Sequence, residues 1–344
     1  MGHNRKTWTV LLGLLAAAAL LVSACGDDDD DDGIDAPAPD ATGELSSGNE
    51  EEPRESATAV GTAAAGDAPD DDGFPLTVER SDGEELVIEE APQRIVSLDA
   101  SATEILYAID AGDQIVAADL YSNFPEEALL KARLDAFAPS PEAILAEEPD
   151  LVLIFSNEGD IVSVLDDLGV EVLFLEPPAE LDGIMERVEL FGEITGHGEE
   201  AAAVASDMAN RVDSIVEAVS GADEGPRVFH ELDNTLFSVG PGSFIGDLYE
   251  LLGAENVAAA AGQPFPQLTS EAIIAADPEV VILADEAFGE TIETVSARPG
   301  WAVITAVREG RIHGVDPDIA SRPGPRIVEF LELVAAYLYP ELFE

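Results

Sequence analysis

The sequence predicts an α/β protein: two similar α/β lobes with central, mostly parallel sheets, joined by one long connecting α-helix. Three observations lead there. First, two stretches offset by 129 positions repeat one pattern, Pro141-Glu142-Ala143-Ile144-Leu145-Ala146-Glu147-Glu148-Pro149-Asp150-Leu151-Val152-Leu153-Ile154 and Ser270-Glu271-Ala272-Ile273-Ile274-Ala275-Ala276-Asp277-Pro278-Glu279-Val280-Val281-Ile282-Leu283. Each reads as a short helix opened near a serine, stopped by a proline and followed at once by a buried strand. Second, strand-like and helix-like runs alternate along most of the chain, an order that covers both faces of a parallel sheet with helices. Third, His197 to Val219 holds no proline, and no glycine after Gly198, while Val204, Met208, Val212, Ile215 and Val219 recur at spacings of three and four. That spacing describes one amphipathic helix midway through the folded part. Two lobes imply a cleft, and such clefts bind small molecules.

Taken in chain order, residues 1–25 read as an export signal. Arg5 and Lys6 form a basic head, and Trp8 to Val22 form an apolar run short for a membrane span. The run ends in Val22-Ser23-Ala24-Cys25, which resembles the lipobox of bacterial lipoproteins. Cleavage there would leave Cys25 as a lipid-carrying N-terminus on the extracytoplasmic face of the cell membrane. Cys25 is the single cysteine, so no intramolecular disulfide can form. Residues 26–73 begin with Gly26 and six aspartates, Asp27 to Asp32, and stay rich in Ala, Pro, Gly, Asp and Glu. Such a segment buries too little apolar surface to offset its chain entropy and is expected to be a disordered tether.

Residues 74–196 are expected to form the N-terminal lobe. Leu76 to Glu89 alternates apolar and polar positions like an edge hairpin, and Arg94 to Leu98 reads as a strand with Thr103 to Ile109 as its helix. Further strands are expected at Gln114 to Ala118, Leu151 to Phe155 and Val170 to Leu175. The connecting helix is placed at 197–221 and the C-terminal lobe at 222–344. Arg227-Val228-Phe229 opens that lobe as Arg94-Ile95-Val96 opens the first, with strands near Val280 to Ala284 and Ile312 to Val315 and a closing helix at Pro325 to Leu338. A single stiff connecting helix resists bending, so modest closure is expected.

Charge narrows the function classes. The formal net charge is −57, with 72 acidic against 15 basic residues, and lysine occurs only at Lys6 and Lys131. Nucleic acid, which needs clustered cations, is excluded as a partner. The acidity suits either a high-salt habitat or an arginine-biased genome. An anionic ligand would have to be met by locally placed arginines rather than by the overall field.

Arg94-Ile95-Val96-Ser97-Leu98 with Ala100-Ser101-Ala102-Thr103-Glu104, the paired Glu-Ala-Ile units, Gly240-Pro241-Gly242-Ser243-Phe244, Pro264-Phe265-Pro266-Gln267-Leu268 and Ser321-Arg322-Pro323-Gly324-Pro325-Arg326 form a recognisable set. It resembles the helical-backbone substrate-binding proteins of bacterial ABC importers, which carry ferric siderophores, haem and cobalamin. The resemblance covers residues 90 to 340. It implies a monomeric receptor that hands a metal chelate to a permease dimer with its ATPase, needing no cofactor because the metal arrives inside the chelate. It also implies that Glu142 and Glu271 dock onto permease arginines, one from each lobe. A twofold charge pattern suits a symmetric partner, although a glutamate there also favours a helix N-terminus through the dipole.

The resemblance places Tyr121, Phe137 and Phe265 in cleft-lining loops, where rings stack on flat macrocycles, although such rings also serve as core. Ser101 is carried over as a further cleft residue. Arg322 and Arg326 suit an anionic chelate, with Arg322 the preferred contact and Arg326 the better candidate for a structural ion pair.

Other classes fit poorly. A bare-metal receptor needs several histidines, and only His230 and His313 fall in the lobes. No Gly-x-Ser-x-Gly elbow, nucleotide-binding glycine loop or His-Glu-x-x-His occurs, so no enzyme is indicated. Haem ranks below siderophore and corrinoid because no axial ligand is plainly poised. A surface sensing module on the same frame is the remaining alternative.

Overall fold

The computed structural model describes residues 73–222 and 225–343. The expected signal segment, the lipobox Cys25 and the tether at 26–73 therefore lie outside the described residues, apart from Gly73. The elements run β1 (Leu76–Glu79), β2 (Glu85–Ile88), β3 (Ile95–Leu98), α1 (Ala100–Ala108), β4 (Ile115–Asp119), β5 (Ala132–Leu134), α2 (Pro141–Ala146), β6 (Leu151–Ile154), α3 (Ile161–Asp167), β7 (Val172–Phe174), α4 (Leu181–Thr195) and α5 (Gly198–Val219). They continue with β8 (Arg227–Glu231), α6 (Phe244–Leu251), β9 (Glu255–Asn256), α7 (Ser270–Ala276), β10 (Val280–Leu283), α8 (Ile292–Ser296), α9 (Thr305–Glu309), β11 (Ile312–Gly314), α10 (Pro317–Ala320) and α11 (Ile327–Leu338).

Two all-parallel sheets result, ordered β5-β4-β3-β6-β7 and β11-β10-β8-β9, with β1 and β2 as a separate antiparallel hairpin. The period-2 alternation of each strand sorts its side chains between two cores. Ile95, Leu151 and Leu153 join Val228, Val280 and Ile282 in one apolar cluster that spans both lobes. Val96, Leu98, Val152 and Ile154 face the opposite side of the first sheet, and Phe229, Val281 and Leu283 face that of the second. Helix α5 supplies the common cluster with Ala201, Ala205, Met208, Val212, Ile215 and Val219 and packs against α4 and α11. The long helix is thus a packed strut, not an exposed linker.

The duplicated units are built alike down to their latches. Arg94 donates from Nε to the Glu148 carbonyl at 2.7 Å and from Nη2 to that of Glu147 at 2.5 Å, and Asp150 accepts from the Gln93 and Arg94 amides. In the second lobe Arg227 donates from Nε to the Ala276 and Asp277 carbonyls at 3.1 and 2.9 Å, and Glu279 accepts from the Arg227 amide. These arginines satisfy helix C-terminal carbonyls that would otherwise lack partners. In both units the residue before the proline turns left-handed, Glu148 at φ 47° and Asp277 at φ 48°, which ends the helix and starts the strand.

Some details differ from expectation. Ser140 caps α2, but Thr269 caps α7, because Ser270 lies inside that helix and its Oγ accepts from the Trp301 indole at 2.7 Å. The closing helix starts at Ile327 rather than Pro325. Edge strands β5 and β9 have no apolar run to announce them. Strand β8 extends through His230 and Glu231, both fully buried.

Candidate functional site

In each lobe the first strand lies beside one that comes later in the chain, β3 beside β6 and β8 beside β10. At such a switch point the following loops leave in opposite directions and open a crevice at the carboxyl ends of the strands. The residues there are Asp99, Phe155, Glu231 and Asp285.

On the N-terminal lobe this edge carries an aromatic row. The rings of Tyr121 and Phe137 meet edge-to-face at 5.5 Å, and those of Phe137 and Phe155 at 5.7 Å. Tyr121 is 40% exposed, so the row opens to solvent at one end. The sequence reading missed Phe155, although its place immediately after β6 was a usable signal. Beneath the row runs a buried hydroxyl network. Ser122 donates its hydroxyl to Asp119, and its Oγ lies 2.9 Å from the Thr103 Oγ1, which in turn lies 2.9 Å from the Ser97 Oγ. Burial pushes the Asp119 carboxyl up, against the lowering effect of its bonds to Ser122 and the Tyr121 amide. Ser101, expected in the cleft, is buried, and its hydroxyl and amide both go to Asp99 Oδ1, at 2.5 and 2.8 Å, to cap α1.

The C-terminal lobe presents Phe265, 37% exposed between β9 and α7, and Phe288, 56% exposed after β10. Deeper in that lobe, Arg298 holds Glu231 bidentately at 2.6 and 2.5 Å and Glu290 at 2.8 Å. Among the described residues no N–H or O–H donor reaches either carboxyl oxygen of the buried Asp285, which lies against the Glu231 carboxyl, and burial, with Glu231 and Glu290 nearby, pushes its pKa up to about 7.

Asp285 thus keeps its proton to higher pH in the folded chain than in the unfolded one, where 3.8 is usual. The resulting stabilisation is complete below about pH 4 and drains away as pH rises towards 7. Asp285→Asn is therefore expected to gain several degrees in melting temperature relative to wild type between pH 4 and pH 8. A difference that stays constant over that range in paired thermal melts would refute this account.

Arg322, expected to meet a ligand, is fully engaged across the lobe junction. Its Nη1 donates to Glu104 Oε1 and Asn123 Oδ1, both at 2.8 Å, and its Nη2 to the Tyr121 carbonyl at 2.8 Å, with Asp318 at 2.7 Å. Arg326 grips the same Glu104 at 2.9 and 2.5 Å and lies over the Phe124 ring at 3.9 Å. Asn123 donates to Asp318 at 2.7 Å. The two lobes are clasped here as well as strutted by α5.

Among the described residues no group of three or more His, Cys, Asp or Glu could hold a metal ion. His230 is buried with Nδ1 at 2.8 Å from the Tyr249 hydroxyl, and burial pulls its pKa down to about 3. His313 stacks on Tyr337 at 4.0 Å. Glu142 and Glu271 sit in the first turns of α2 and α7, both exposed. A hollow of about 960 Å³ lies at the opposite ends of the C-terminal strands, lined by Arg227, Glu279, Arg311 and Tyr339 among others. Arg227 and Arg311 are already bound there to main-chain carbonyls, so that hollow does not displace the cleft as the candidate site.

Comparison with known proteins agrees with this architecture. An ABC transporter substrate-binding lipoprotein of Bacillus subtilis, YvrC, itself uncharacterised, is 30% identical over 79% of this chain and 88% of its own. A cobalamin-binding protein of Halobacterium salinarum is 29% identical over 74% of this chain and 72% of its own. The crystal structure of a possible iron-binding, periplasmic solute-binding protein from Staphylococcus epidermidis is 28% identical, covers 73% of this chain and all of the other, and superposes with a TM-score of 0.64. The model of the periplasmic binding protein family matches residues 95–319, from the first strand of one lobe to the clasp of the other. With two parallel sheets, a switch-point crevice in each and a helical strut between them, the chain belongs to the periplasmic binding protein family.

Proposed function

We propose that this chain is an extracytoplasmic receptor, anchored at the membrane through a lipidated Cys25, that captures a metal chelate and delivers it to an ABC permease. The chelate is of the corrinoid class, ahead of ferric siderophores. The aromatic row Tyr121–Phe137–Phe155 carries this reading, since a row of rings at the mouth of a crevice suits a broad, partly apolar macrocycle. Phe265 and Phe288 offer further apolar surface from the other lobe. The metal arrives inside the chelate, and the protein contributes no resident cofactor. The cobalamin-binding relative supports the corrinoid, and the possible iron-binding one keeps siderophores as second choice. Glu142 and Glu271 are proposed to meet the permease, and a single copy of the chain is proposed to act.

Titration of the purified protein with cyanocobalamin, haemin and ferric hydroxamates tests the ligand class directly. Phe137→Ala removes the middle ring of the row. It is expected to weaken cyanocobalamin binding about 10- to 100-fold, as loss of a central aromatic anchor does, with little change in melting temperature. Unchanged affinity in that variant would remove the row from the site.

A further inference from the structure

We propose that Glu104 is a specificity-determining residue: by occupying both arginines that the C-terminal lobe brings to the cleft floor, it selects for chelates without a free anionic group. This rests on the ligand reading above and sharpens it. Glu104 projects from α1 of the N-terminal lobe and is 3% exposed. Its Oε1 accepts from Arg322 at 2.8 Å and from Arg326 at 2.5 Å, and its Oε2 accepts from Arg326 at 2.9 Å. Paired N–H donors of this kind are what an incoming carboxylate or phosphate would seek. Here they are spent on the protein's own carboxylate.

The position is next to the proposed ligand wall. Arg322 also donates to the carbonyl of Tyr121, whose ring begins the aromatic row. Two further arginines at the strand ends are engaged too: Arg298 is held by Glu231 and Glu290, and Arg133 donates to the Ser122 and Ala128 carbonyls. Arg187 donates from Nη2 to the Glu176 carbonyl, while its Nη1 is buried without a partner among the described residues. Asp318, partly exposed, stands against Arg322 and Asn123, at 2.7 Å from each. An anionic substituent entering this cleft meets acceptors and negative charge, while a neutral amide meets no such penalty.

A purely mechanical tie between lobes would also use these bonds, so the test reads charge selectivity. Cyanocobalamin and its monocarboxylic acid, in which one peripheral amide is hydrolysed, share a shape and differ by one charge at pH 7. The wild-type protein is expected to prefer the amide at least tenfold. Glu104→Gln is expected to free the arginines and bring the two affinities within about twofold. Adding Arg322→Gln and Arg326→Gln to Glu104→Gln is expected to restore the preference.

A folded Glu104→Gln protein that keeps the wild-type ratio overturns the proposal. If that variant fails to fold in thermal melts, the wild-type ratio decides, and equal or tighter binding of the acid overturns it. Binding of neither corrinoid sinks the ligand reading instead. The charge test then passes to a cationic and a carboxylated ferric trihydroxamate, where wild-type preference for the carboxylated form overturns the role of Glu104.

Discussion

Glu142→Ala combined with Glu271→Ala is expected to abolish uptake while leaving the ligand affinity of the isolated protein within about twofold. Both carboxylates are exposed in the first turn of a short helix, and they occupy equivalent places in two equivalent units. The equivalence is physical as well as sequential. Arg94 and Arg227 clamp the C-terminal carbonyls of the two helices, so each lobe presents its glutamate from the same support. A partner with twofold symmetry would meet one such glutamate per half. Truncating one side of a desolvated charge pair typically costs about 2–5 kcal/mol, so losing two exceeds what most transient complexes can tolerate. Radiolabelled ligand uptake in cells lacking this chain, complemented with wild type or the double variant, reads the first half of the expectation. Titration of the purified variant reads the second. Lost ligand affinity, or uptake at the wild-type rate, would remove the docking role.

The second large effect is expected in the core. Trp301→Ala should cost about 3–5 kcal/mol, the usual range for deleting a buried large aromatic, out of a total that is typically only about 5–15 kcal/mol. Trp301 is fully buried, packs edge-to-face on Phe229 at 6.1 Å and lies under the Arg298 guanidinium at 4.7 Å. Its indole N–H donates to Ser270 Oγ at 2.7 Å, tying the start of α7 to the core. The substitution therefore opens a cavity, leaves the Ser270 hydroxyl without its indole donor and removes the ring beneath Arg298. Urea denaturation monitored by circular dichroism measures the loss, and a cost below about 1 kcal/mol would contradict the packing described. The same burial keeps Trp301 away from a bound ligand. Its fluorescence reports the integrity of the C-terminal lobe, because it sits in the cluster behind β8 and β10 and not on the cleft wall.

The main strands and helices were legible because their signals are local. Val280 to Leu283 and Leu151 to Ile154 are continuous apolar runs next to a proline-stopped helix, and a strand buried on both faces needs little else. Helix α5 declared itself by spacing alone. Strand β8 ends on two polar residues, His230 and Glu231, whose burial no local signal announces. Both are fully buried, His230 paired at Nδ1 with Tyr249 while its Nε2 has no partner among the described residues, and Glu231 paired with Arg298, partners 19 and 67 positions away. Edge strands β5 and β9, of three and two residues, carry no periodicity to detect.

The site divided in the same way. Tyr121 and Phe137 could be named because aromatic residues in loops after strands are conspicuous, and the fold sets them in contact. Ser101 and Arg322 could not be assigned correctly from their residue types. The serine is spent as a helix cap, and the arginine is held by Glu104, 218 positions away.

The amino-acid order by itself determined the two-lobed α/β frame, the strut and the matched glutamates, since each depends on local periodicity or on one short motif repeated 129 positions further on. Only the tertiary structure decided which polar side chains remain available to a ligand. Hydrogen-bond donors are satisfied by whatever acceptor the fold brings within about 3 Å, and for Arg322 and Arg326 that acceptor came from the opposite lobe.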